Sequence, residues 1–201
     1  MLLVQNITLH RSGKKIFENL NLSLATGKIV FLRGKNGSGK TSFLKTILNI
    51  LEPSSGSIYW KGKILNKNIY DYYKNVTYIA DSSCTIRQLT VNENIRIWKK
   101  FFLSKVSFEQ IENILSILNL NNFLNRKVNT LSLGEIKKLE LLRLIIENKK
   151  VWILDEPFNN LDLDSIDLIG QTFIDHCKND GCIIFSSHQS PEIPISEEIK
   201  L

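Results

Sequence analysis

The chain has no apolar run approaching the roughly 18–20 residues of a membrane span, so no transmembrane segment is expected in it. Its opening residues, MLLVQNITLH, lack the basic start, apolar stretch and small-residue cleavage site of a secretory leader. Only three cysteines are present, Cys84, Cys177 and Cys182, and none forms a C-x-x-C pair. An odd number without metal-ligand spacing points to a reducing compartment and plain thiols. Internal repeats, low-complexity tracts and charged tails are also missing. The net charge of +6 would suit nucleic acid or an anionic membrane surface. Its lysines are scattered along the chain, however, and no nucleic-acid partner is expected.

What is present is an alternation of textures within 201 residues, enough for one packed domain. LLVQNITL and IFENLNLSL read as strands, and KIVFL (Lys28–Leu32) as a buried strand running into a glycine-rich loop. Helical spacing follows at Phe43, Leu44, Ile47, Leu48 and Leu51, then a turn and hairpin in PSSGSIYWKGK. From about Thr90 the chain turns helical. Thr90–Glu93 and Ser107–Gln110 match the capping box, the second followed by an apolar series at Phe108, Ile111, Leu115 and Leu118. A third box, Ser132–Glu135, precedes a buried stripe at Ile136, Leu139, Leu142 and Ile146. Strand texture returns in KVWILDEP and GCIIFSSH. The expectation is one α/β domain over 1–201, with a core of roughly 1–88 and 132–201 and a helical insertion of roughly 89–131.

Three stretches carry chemistry. Gly34, Lys35, Asn36, Gly37, Ser38, Gly39, Lys40 and Thr41 fit G-x-x-x-x-G-K-[ST] at every fixed position, between strand and helix. Such a loop turns backbone N–H groups toward phosphate oxygens at a helix N-terminus. Lys40 reaches the β- and γ-phosphates of ATP, and Thr41 supplies a Mg²⁺ ligand. Asp155 and Glu156 follow a buried strand, where ligands gather in open α/β sheets. Beside a phosphate loop, Asp155 is expected near Mg²⁺ and Glu156 as the base for an attacking water. His188 ends the next apolar strand and is expected to touch the γ-phosphate. A lone histidine there, or a pair of acids opening a loop, has an ordinary structural reading when taken by itself.

The order of these pieces resembles the ATP-binding subunits of ABC transporters over nearly the whole chain. The resemblance implies a P-loop NTPase fold with an N-terminal β-subdomain and an inserted helical subdomain. In that family L-S-G-G-Q opens a helix that caps the ATP of a second subunit; this chain has Leu131-Ser132-Leu133-Gly134-Glu135. It therefore implies a dimer, a homodimer in the simplest case, with two ATP sandwiched head-to-tail. Ser132 and Gly134 would face the partner's nucleotide, and Asp162 would lie in the interface loop. The chain departs from the family at several places. The glutamine that touches Mg²⁺ and the membrane partner is absent near Ser82, Gln88 coming too late, which leaves Ser82 as the metal-side candidate. The adenine-stacking aromatic is absent too, with Arg11 at or beside its place.

Within the family the chain resembles most the short ATP-binding subunit of the haem exporter of cytochrome c maturation, through VWILDEPF, SSHQSP and the early end after EEIKL. That implies an ATPase on the cytoplasmic face of the cell (inner) membrane, docked on integral permease subunits through the helical insertion and the 82–89 segment. Alternatives are the subunit of another small ABC transporter, a soluble ABC-type ATPase acting on nucleic acid or ribosomes, and a regulator that binds ATP with little turnover. The single phosphate loop and the short insertion speak against the soluble reading. Leu133 and Ser82 motivate the regulator.

Overall fold

The computed structural model describes residues 1–188 and 192–201; Gln189, Ser190 and Pro191 of the SSHQSP stretch lie outside the described residues. Two sheets organise the chain. Strands β1 (Leu2–Arg11), β2 (Lys14–Leu24), β4 (Ser55–Trp60) and β5 (Lys63–Ile64) form an antiparallel sheet in the order β2-β1-β4-β5. Its hairpins close through two-residue turns, Ser12–Gly13 and Lys61–Gly62, with both residues of each at positive φ, the geometry whose twist matches paired strands. The second sheet is parallel, in the order β6-β7-β8-β3-β9: β6 (Val76–Ile79), β7 (Val151–Asp155), β8 (Cys182–Ser187), β3 (Ile29–Arg33) and β9 (Glu197–Lys200).

The central parallel strands are apolar along their length because both faces are covered. Alternation sorts their side chains. Val30, Leu32, Val151, Ile153 and Ile184 join the antiparallel sheet and helix α1 (Lys40–Ile47) in one core. Ile29, Phe31, Trp152, Leu154, Ile183 and Phe185 face helices α5 (Leu133–Glu147) and α6 (Leu163–Lys178) in another. Helix α2 (Ile69–Asn75) leads into β6 and anchors through Tyr72, fully buried, whose hydroxyl donates to the Ile47 carbonyl at 2.9 Å.

Helices α3 (Val91–Phe101) and α4 (Phe108–Ile117) form a third core with the other stripe of α5, Ile136, Leu139, Leu142 and Ile146. All three capping boxes read from the sequence are made, at Thr90, Ser107 and Ser132. Phe108 differs from the expected apolar series: it is 53% exposed, at the first position of α4 where the packed face has not yet begun.

Candidate functional site

Because β3, β7 and β8 are parallel and in register, Arg33 opposite Ser187 and Asp155 opposite Ser186, their carboxyl ends reach one edge together. The phosphate loop, the acidic pair and His188 all leave from that edge. Gly37 and Gly39 hold left-handed backbone at φ 81° and 105°, open to glycine and closed to most side chains. Gly34 is needed for a close approach: a Cβ there would collide with Ser38 Oγ and lie 2.8 Å from the Leu201 carbonyl oxygen. The unpaired N–H groups and positive end of α1 open into this loop.

Lys40 is buried. Its Nζ donates to the carbonyls of Gly34 at 2.8 Å and Lys35 at 3.4 Å and lies 3.3 Å from Glu156 Oε1. Glu156 takes φ 48°, a left-handed conformation that costs a side-chain-bearing residue about 1–2 kcal/mol. Ser186 braces it by accepting the Glu156 backbone N–H at 3.0 Å while donating to Asp155 Oδ1 at 2.6 Å. His188 Nδ1 donates to Glu156 Oε2 at 3.2 Å. Lys40, Glu156 and His188 thus form one chain of contacts. Asn36, Gly37, Gly39, Lys40, Thr41, Asp81, Glu156, Asn159 and His188 line a common cleft of about 420 Å³.

Asp155 is 1% exposed, and its second oxygen, Oδ2, is buried without a hydrogen-bond partner, as is Ser38 Oγ. A buried carboxylate oxygen left unpaired is costly, and a hard divalent cation satisfies it. The donor set here, carboxylate and hydroxyl oxygen, fits Mg²⁺. Burial, with the charges of Asp155 and Asp81, pushes the neighbouring Tyr78 phenol up to about 12.

Not every expected residue lines this cleft. Ser82 is exposed and outside it; Asp81, one position earlier, lines it and accepts from Asn159 Nδ2 at 3.5 Å. Arg11 stands exposed at the end of β1, and Ile16, across the same hairpin, lines the cleft instead. Gly34 and Lys35 line an adjoining cleft of about 630 Å³ that shares Asn36 and His188. Ser132, Gly134 and Asp162 form a separate surface. Ser132 is exposed at the N-cap of α5. A Cβ on Gly134 would come 2.6 Å from the Asn160 carbonyl oxygen, and Lys138 Nζ pairs with Asp162 Oδ2 at 3.1 Å. Hydrogen bonds from Ser165 and Lys138 hold the Asp162 carboxyl down at about 2. Sequence reasoning missed Ser186, Asp81 and Asn159. Ser186 stands two residues before His188, but its pairing with Asp155 exists only in the sheet.

A family model described as ABC transporter matches residues 17–159. The chain belongs to the ABC transporter family. One relative is the cytochrome c biogenesis ATP-binding export protein CcmA of Reclinomonas americana, 37% identical over 193 residues, 92% of this chain and 86% of the relative. Among solved structures, an ABC transporter ATP-binding protein from Pyrococcus furiosus superposes with a TM-score of 0.86 at 24% identity, covering 100% of this chain and 96% of that one. The ATP-binding cassette MJ0796, in a dimeric post-hydrolysis state bound to ADP and Pi, gives 0.74 at 21% identity, covering 94% and 88%. At those identities the two structures speak for the fold, and the fold is that of an ABC ATP-binding domain. The phosphate loop and the acidic strand end of this ABC protein both lie inside the matched 17–159 span; His188 lies beyond it.

Proposed function

We propose that this chain is the ATP-hydrolysing subunit of a membrane exporter serving cytochrome c biogenesis, with haem as the cargo the sequence resemblance implies. It works as a head-to-tail homodimer against integral permease subunits, on the cytoplasmic face of the membrane. All 201 residues act as one ATP-binding domain, the helical part of roughly 89–131 inserted between 1–88 and 132–201. The observation that carries the ATPase reading is the meeting of Lys40, Glu156 and His188 at the phosphate-loop cleft, beside an unpartnered oxygen of Asp155. The export reading draws on the 37% identical relative, whose name contains that role.

The triphosphate lies along residues 34–41. Lys40 exchanges its Glu156 contact for phosphate oxygens, which frees Glu156 to take a proton from the attacking water. His188, held to Glu156 Oε2 through Nδ1, is the candidate contact for the γ-phosphate through its other ring nitrogen. Mg²⁺, when bound, neutralises charge on the phosphate oxygens; Thr41 and Asp155 would hold it, with Ser82 or Asp81 acting through water. Arg11 is the candidate contact for the adenine. Ser132, the N–H groups near Gly134, and Asp162 complete the partner's site across the dimer.

Glu156→Gln tests this reading. A Gln carbonyl still accepts from Lys40, so the buried ammonium keeps its partner. ATP binding should persist, turnover should fall by about 10²–10⁴-fold, and an ATP-bound dimer should accumulate on size exclusion. Unchanged turnover would remove Glu156 from the chemistry, and a variant monomeric at saturating ATP would end the shared-site reading. Recovery with ribosomes or DNA in place of membrane subunits would favour the soluble alternative.

A further inference from the structure

The turn joining α3 to α4 carries an exposed apolar tip. Phe101 is 78% exposed, Leu103 84%, Phe108 53% and, on the outer face of α3, Ile97 41%. The exposure is built in. Leu103 takes φ 51°, and the Ser104 N–H donates to the Lys99 carbonyl at 2.9 Å, closing the end of α3 behind it. Lys99 Nζ donates to the Val106 carbonyl at 2.5 Å and sits 4.1 Å above the Phe108 ring, fixing the return into α4. Trp98, Ile111 and Leu115 bury the base of the turn.

Along the turn itself the charge has one sign, with Glu109 at its boundary with α4. Between Glu93 and Glu109 the chain carries Arg96, Lys99, Lys100 and Lys105 and no acid. Lys99, Lys100 and Lys105 fall within seven residues here, among aromatic and aliphatic side chains. A convex turn with rings at its apex and cations behind suits the interface of an anionic bilayer: the apolar groups enter the boundary between headgroups and acyl chains, and the ammonium groups meet lipid phosphates.

We propose that the 97–108 tip is a lipid-binding surface that seats on the anionic leaflet of a bilayer directly, apart from any permease contact. The proposal rests on the membrane location given above, but its test uses this chain alone. The purified protein is sedimented with phosphatidylcholine vesicles containing or lacking phosphatidylglycerol. The wild type should bind only the anionic vesicles, and less as salt shortens the Debye length. Lys100→Glu with Lys105→Glu should lower partitioning at least ten-fold, at about five-fold for each charge lost. Phe101→Ser should weaken binding to the same vesicles. ATPase activity in solution should be unchanged in both variants, which also shows that they fold. A wild type that ignores both vesicle types, or variants that bind as well as wild type, would overturn the proposal. So would variants whose only defect is loss of the membrane subunits in detergent, because the tip would then be a protein contact. Vesicle binding without any co-purifying membrane subunit would leave the tip standing and count against the exporter reading.

Discussion

At the scale of residues, one hydroxyl holds the acidic corner together. Ser186 is fully buried and serves both Asp155 and the strained Glu156 backbone. Ser186→Ala would leave Asp155 with both oxygens unpartnered. A lost buried hydrogen bond with an unsatisfied acceptor costs about 1–3 kcal/mol, and losing a group that orients a metal ligand costs about 10–100-fold in metal affinity or activity. We expect a lower Tm and a Mg²⁺ requirement for ATPase activity shifted upward by about that factor. A Mg²⁺ titration matching wild type would detach Ser186 from the cation's site. Glu156 shows the same economy: Lys40 and His188 hold its side chain and Ser186 its backbone, so a conformation unfavourable for the isolated residue persists.

At the scale of elements, α5 joins the molecule's two functional surfaces. One stripe packs on α3 and α4, the other on the parallel sheet beneath the cleft. Its first two turns touch the loop before α6 through Gly134 and Lys138. Gly134→Ala puts a Cβ 2.6 Å from a backbone carbonyl, which must shift. Such overpacking costs about 1–3 kcal/mol. The expected result is a lower urea midpoint, with ATP-driven dimerisation weakened further while ATP binding by the monomer is retained. Dimerisation equal to wild type would mean that the start of α5 takes no part in the interface. The sequence showed the first stripe and its capping box plainly. It hid the second stripe, because a helix buried on two sides loses its amphipathic contrast. Helix α6 was hidden too, although Asp162 caps it by accepting the Ser165 N–H at 2.9 Å.

At the scale of the whole molecule, a packed histidine sets an acid limit far from the cleft. His176 stacks on Trp152, centroids 3.6 Å apart, and its Nε2–H donates to the Lys150 carbonyl at 3.2 Å. Burial lowers it from 6.5 to about 4. Above pH 6.5 the ring is neutral in both folded and unfolded chains. Between 6.5 and 4 the unfolded chain takes up the proton and the folded one does not, so stability falls as pH falls through that window. With a discount for its partly exposed edge, the loss is about 2 kcal/mol. Urea midpoints at pH 7.5 and 4.5 should show it, and His176→Phe should flatten the slope. An equal slope in the variant would assign the acid limit to other groups. Asp162, lowered from 3.8 to about 2, keeps its stabilising contribution down to about pH 4 and loses it only as pH falls further.

The sequence by itself determined what local chemistry can write: the loop 34–41, the acids and histidine at strand ends, the capping boxes, the apolar parallel strands. Each is a spacing or a neighbour relation within a few residues, and the backbone supplies the rest. The tertiary structure decided whatever depends on which residues become neighbours across strands. It joined Lys40 to Glu156 and Ser186 to Asp155, put Asp81 and Ile16 on the cleft where Ser82 and Arg11 were expected, and left Phe101 and Leu103 exposed at the α3–α4 turn. The reason is register: a shift of one residue along a strand or turn changes the face a side chain occupies, and register is fixed by the packing of distant segments.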